Sequence, residues 1–133
     1  MSQGVKRIAA ERERQIKDEG WTPKHDDEHE DCSLAYAAIC YAAPEQIYVR
    51  QDFGLHEVRF VDPWPPWTDG WDKRPKDGKT PTAEQYVRQL EKAGALIAAE
   101  IDRMLRVLAQ RKKHRLQASR RKHLASRIKK VKP

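Results

Sequence analysis

At 133 residues the chain has room for one domain with a buried core and none for a second. No apolar run approaches the roughly 18–20 residues that cross a bilayer, and residues 1–11 lack the apolar segment of a secretory signal, so a cytoplasmic protein is expected. The net charge of +7 hides a split: fourteen Lys/Arg and twenty Asp/Glu in the first 102 residues, then thirteen Lys/Arg and no acid from Arg103 onward. An acidic body with a basic tail points to a polyanion partner for the tail, or to its neutralisation by the body itself.

Val5, Ile8, Ala9 and Ile16 recur at helical spacing, with Arg12 interrupting the stripe, and predict a charged amphipathic helix over 4–18. Gly20 stops it, at a position where a left-handed residue closes a helix. Trp21-Thr22-Pro23 then reads as extended or turn. A second helix is expected to begin near Asp27, because Asp27-x-x-Glu30 has the spacing of a capping box and Asp31 adds favourable negative charge. Its buried face is Leu34, Ala37, Ala38 and Tyr41, and Pro44 ends it. Cys32 and Cys40 fall on that helix about 12 Å apart along its axis, too far for a disulfide, and read as free thiols in a reducing compartment.

Residues 46–51 and 57–62 alternate and are rich in β-branched and aromatic side chains, which predicts a β-hairpin leaning on the helices. Residues 63–81 hold five prolines, two glycines and three of the four tryptophans. They predict a long irregular loop, a feature that in compact domains is often functional. Thr82 and Gln85 form a second capping box and open the third helix. Its apolar stripe runs Tyr86, Val87, Leu90, Ala93, Gly94, Ile97, Ile101, Met104, Leu105 and Leu108, and continues sparsely as Leu116, Leu124, Ile128 and Val131.

The predicted fold is therefore mainly α: three principal helices, a small β-hairpin and a long Trp/Pro-rich loop, with the third helix extended into a basic C-terminal arm. The helical domain spans 1–108, with the hairpin in 46–62 and the loop in 63–81. The arm, 109–133, is helical or disordered.

Beyond Glu91, Lys92, Glu100 and Asp102 on the third helix, whose charges read first as a solvated face, three segments could carry chemistry. In the first, His25, Asp26, Asp27, His29 and Glu30 either cap and charge a helix start or form a ligand site. As a site, Asp26, Asp27 and Glu30 offer oxygens to Mg²⁺ or Mn²⁺, and a histidine supplies an acid/base group near neutral pH. A zinc variant through Cys32 lacks the paired spacing of structural zinc sites. In the second, Trp64, Trp67 and Trp71 with Lys73, Arg74 and Lys76 combine flat apolar faces with cations. That composition suits a stacked base and its phosphates, or else the indoles plug the edge of a small core. Trp21 meets them in either case, and Lys92, beside the small Ala93-Gly94-Ala95 patch, faces the same region. The third is the arm. Arg111, Lys112, Lys113 and Arg115 form one cluster, Arg120, Arg121 and Lys122 another, and Arg127, Lys129 and Lys130 a third. Phosphate contact there would be salt-dependent, and no Phe, Tyr or Trp follows Tyr86 to stack on bases.

Glu11-Arg12-x-Arg14-Gln15-Ile16, Glu19-Gly20-Trp21-Thr22-Pro23-x-His25-Asp26-Asp27-x-His29 and Lys92-Ala93-Gly94-Ala95-Leu96-Ile97-x-Ala99-Glu100-Ile101-Asp102-Arg103 resemble a family of small bacteriophage and prophage early-region accessory proteins. The resemblance covers roughly residues 7–104 and implies a phage-encoded protein acting in the cytoplasm of a bacterial host. A weaker similarity is to all-α nucleotide pyrophosphohydrolases of the MazG type, but Glu100-x-Asp102 departs from their Glu-x-x-Asp spacing. The leading expectation is binding of a nucleotide-like phosphorylated small molecule, with or without a divalent metal. The alternatives are an inhibitor or adaptor gripping nucleic acid or an acidic host protein through the arm, and a homo-oligomer built on the third helix. No membrane partner is expected.

Overall fold

In the computed structural model, which describes residues 1–65, 70, 72–75 and 79–131, the chain is mainly helical, with one small antiparallel hairpin and a long C-terminal helix. Trp67, Trp71 and Lys76, expected above to contact a ligand, lie outside the described residues.

Helix α1 spans Gln3–Asp18; the Ser2 hydroxyl accepts from the Val5 N–H and satisfies one of its free donors. It ends as predicted, with Gly20 left-handed at φ +71 and the Trp21 N–H turned back to donate to the Gln15 carbonyl. The expected capping box at Asp27 is corrected here. Thr22 is the cap, its hydroxyl accepting from the His25 N–H, and Pro23 takes the first position of a short helix α2, Pro23–Asp27. Proline suits that position because its ring presets φ and no N–H is needed there. Asp27 therefore closes a helix instead of opening one. Helix α3, Ser33–Ala42, starts after Cys32, which is left-handed at φ 66, while Asp31 accepts from both the backbone N–H and the hydroxyl of Ser33. The exposed Cys32 and the buried Cys40 are both free, and only Cys40 lies within the helix. Burial pushes the Cys40 thiol up to about 11.

The hairpin forms from β1, Val49–Asp52, and β2, Val58–Val61, paired Val49 to Val61 and Asp52 to Val58. Both strands are shorter than predicted. Gly54 and His56 take positive φ in the turn, and the Phe53 N–H closes it on the Glu57 carbonyl at 2.8 Å. Helix α4, Ala83–Val131, opens on the predicted capping box: Thr82 N–H donates to Gln85 Oε1 at 2.9 Å and Gln85 N–H to the Thr82 hydroxyl at 3.2 Å. Among the described residues four helical segments thus stand where three principal helices were expected. By internal contacts the chain divides into two units, Met1–Ile101 and Asp102–Pro133.

The core of the first unit packs Leu34, Ala37, Ala38 and Tyr41 of α3 on Ala93, Leu96 and Ala99 of α4, with Trp21 and Trp64 at its edge. Small side chains let the helices approach closely, so Ala93 of the expected α4 stripe is buried while its large aliphatic members are not. Val87 (43 %), Leu90 (40 %), Ile97 (49 %) and Ile101 (54 %) are exposed, while the alanine-rich face is inside. Helix α1 is turned in the same way: Glu11 and Gln15 are buried, whereas Val5 and Ile16 are exposed.

Gly94 is where α1 comes nearest. A Cβ built on it would lie 2.6 Å from Cδ1, 2.7 Å from Cγ1 and 3.1 Å from Cγ2 of Ile8, so that β-branched side chain, or the helix that carries it, must shift to admit a methyl group. Gly94→Ala gains about 1 kcal/mol of helix propensity and loses about 1–3 kcal/mol to overpacking. A lowered urea midpoint is the expected result; a raised one would show that α1 does not press on this position.

Candidate functional site

The sharp turn at Gly20 folds Trp21 back onto the core and sets α2 beside α1. Asp26, on the inner face of α2, is fully buried. Its Oδ2 accepts from Arg12 Nη2 at 2.6 Å, and its Oδ1 lies 3.1 Å from His25 Nδ1. Arg12, read in the sequence as a break in an apolar stripe, is thus turned inward; its Nε and Nη1 have no hydrogen-bond partner among the described residues. The His25 ring stacks parallel on Trp21 with centroids 5.7 Å apart, and His29 tilts against His25 at 4.8 Å. Desolvation, followed by the neighbouring His25, lowers the pKa of His29 below its ordinary 6.5. Asp27 and Glu30 are exposed. Among the described residues no three His, Cys, Asp or Glu side chains converge as metal ligands.

A second group gathers around Glu11. This buried carboxylate accepts from Arg14 through both oxygens at 2.9 Å, and its Oε2 also accepts from Arg88 Nη1 of α4 at 2.6 Å. Arg88 and Lys92 sit one turn apart on α4, with Leu96 a further turn on, and face the same side. Lys92 Nζ stands 5.5 Å from the centre of the Tyr41 ring, half-buried. Desolvation, then Arg88, lowers its pKa from the ordinary 10.5, with Glu11 opposing. The Tyr41 hydroxyl in turn accepts from the Lys73 backbone N–H at 2.9 Å, which ties the segment 72–75 to α3. Burial pushes that phenol up to about 12.

These residues wall a cleft. It consists of two cavities that share Lys73 and Lys92: the inner part, about 40 Å³, is lined by Glu11, Arg14, Gln15, Glu19, Trp21 and Tyr41 besides them, and the outer part, about 360 Å³, opens over Pro75, Glu84, Gln85, Arg88 and Gln89. The inner part holds about one water. The outer part falls within the range of small-ligand pockets. Gln15 Oε1, buried at the inner end, has no partner among the described residues. Neither Lys73 nor Lys92 has a carboxylate within ion-pair distance in the described part of the chain.

No protein-family model, curated protein or solved structure matches the chain. No helix of the described residues is long and apolar enough to cross a membrane.

Of the residues singled out in the sequence, Trp21, Lys73 and Lys92 meet at this cleft. His25 and His29 form the stack that continues from Trp21 and do not line it, and Asp26 is spent on Arg12 and His25. Trp64 belongs to the core edge: it meets Tyr41 edge-on at 5.4 Å, and the Arg74 guanidinium lies over it at 4.8 Å, held by Asp62 and Asp72. Sequence reasoning missed Glu11, Arg14, Gln15 and Arg88. The available signal was the Glu11/Gln15 pair, four apart on one face of α1.

Proposed function

We propose that the chain binds a small phosphorylated molecule, a nucleotide or a relative of one, at the cleft between α1, α4 and the segment 72–75. The observation that carries this reading is the Lys92 ammonium. It is held half-buried against Tyr41, near Arg88, Arg14 and Lys73, with a single buried carboxylate, Glu11, already saturated by two arginines. A cation kept out of water without its own counter-charge favours an incoming anion. Lys92, Lys73 and Arg88 meet the phosphate, the Gln15 carbonyl accepts a polar hydrogen at the inner end, and Trp21 offers a flat face beside them. A divalent cation, where one takes part, travels with the phosphate. With the resemblance of residues 7–104 to phage and prophage proteins, this reading makes the chain an accessory protein of infected bacteria.

Calorimetric titration with nucleoside mono-, di- and triphosphates, with and without Mg²⁺, tests it. Lys92→Met keeps the apolar stem over Tyr41 and removes the charge. It should weaken binding about 10–100-fold, the value of one charged hydrogen bond, without lowering the melting temperature. A folded wild-type protein that binds no member of the panel, or a Lys92→Met variant that binds equally well, would end the proposal.

A further inference from the structure

The C-terminal unit has a surface that the cleft does not explain. From Leu108 to Lys130 every residue is exposed, all of it helical, and no acid follows Asp102 anywhere in the chain. At about 100° per residue the cations from Arg111 to Lys130 fall all round the helix axis, and no cation-free sector is wider than roughly 80°. Arg111 with Arg115, Lys112 with Arg115 and Arg127 with Lys130 are like-charge neighbours at i,i+3 or i,i+4 spacing, which destabilises a helix in isolation.

The distribution discriminates among polyanions. A helix lying on a membrane needs a broad apolar face with its cations opposite; here Leu116, Leu124 and Ile128 fall in one arc of about 120°, but Lys113, Arg120 and Arg127 fall in the same arc. Single-stranded nucleic acid is gripped by stacking on large aromatic faces, and no Phe, Tyr or Trp follows Tyr86; the two imidazoles of the arm, His114 and His123, are the only aromatic rings there. The major groove of A-form RNA is too narrow and deep to admit a helix. The major groove of B-form DNA, about 12 Å wide, does admit one and presents phosphates along both walls. Cations on all sides are then an advantage, and residues 109–131, about 34 Å long as a helix, match about one turn of duplex.

We infer that the exposed basic helix docks in the major groove of double-stranded DNA and binds phosphates on both walls without reading sequence. This goes beyond the proposed cleft and does not rest on it. The test is fluorescence anisotropy of the full chain with a labelled duplex of about 20 base pairs, titrated between about 50 and 300 mM NaCl, where each neutralised phosphate adds about −0.9 to the slope of log K against log salt. The fourfold variant Arg111→Gln, Lys112→Gln, Lys113→Gln, Arg115→Gln should bind more weakly and reduce the magnitude of that slope by about 2–4. Duplexes of scrambled sequence should bind within about threefold of one another, as backbone contact requires. The inference is overturned by no binding at the lowest salt, or by an unchanged slope in the variant. It is equally overturned if polyglutamate or duplex RNA displaces the DNA at equal charge concentration, which would reassign the helix to an acidic protein or to RNA.

Discussion

Asp26→Ala is expected to lower the free energy of unfolding by about 3–5 kcal/mol, because it leaves the Arg12 guanidinium buried without its counter-charge. The Arg12 side chain is only 13 % exposed and Asp26 is fully buried, so water cannot take over the lost contact. The pair is also imperfect. Two of the three guanidinium nitrogens lack partners among the described residues, a desolvation cost that the single 2.6 Å contact does not cover. Replacing both residues with apolar ones, Arg12→Met with Asp26→Leu, should therefore recover most of the loss or exceed wild type. Chemical denaturation followed by circular dichroism measures both variants. A loss below about 1 kcal/mol in Asp26→Ala would mean that the arginine escapes to solvent and that the pair does not join α1 to α2.

Glu11→Gln should have the next largest effect, about 2–4 kcal/mol, because one carboxylate accepts from Arg14 and Arg88 and so clasps α1 to α4. Its removal would also leave Arg14, Arg88, Lys73 and Lys92 facing one another. Burial pushes the Glu11 carboxyl up, but the hydrogen bonds from Arg14 and Arg88, with their charges, outweigh it and hold the group below its ordinary 4.5. A carboxyl whose folded pKa is depressed contributes stability that is present above the unfolded value and lost as pH falls through the folded one. Wild type should thus lose stability below about pH 4.5, and Glu11→Gln should lose less over the same interval. Exposed Glu13 and Asp31, also held low by Lys17 and Ser33 respectively, contribute equally to both proteins and cancel in the comparison. Parallel acid limbs would show that Glu11 does not carry the clasp.

Legibility in the sequence followed the locality of the cause. The stop at Gly20 and the Thr82/Gln85 box depend on a few adjacent residues, and both hold as read. The hairpin was legible in kind, although both strands are shorter than expected and the turn falls one residue later, at 53–57. At residues 22–31 two local signals competed. Thr22-Pro23 is as good a helix start as Asp27-x-x-Glu30, and the former wins because it lets Asp26 reach Arg12, a contact between segments that spacing alone does not show. The buried faces of α1 and α4 were misread for a related reason. Apolar periodicity marks a stripe, but here alanines and an ion cluster make the closer contact, and the larger aliphatic side chains are left outside. Trp21, Lys73 and Lys92 were singled out by residue type. Their shared cleft depends on Arg88 and Glu11, 77 positions apart, whose charges look like ordinary solvated helix faces when each helix is read alone.

Among the described residues, and apart from Leu34, Leu96 and Tyr41, the apolar cluster between α3 and α4 is built from single methyl groups. Trimming an alanine there leaves only glycine, and enlarging one forces two backbones apart. Such a centre can accept almost no change in volume in either direction. Substitution at the solvent-exposed outer faces, such as at Val87, Leu90 and Ile97 on α4, is accordingly expected to cost far less than any change at these alanines.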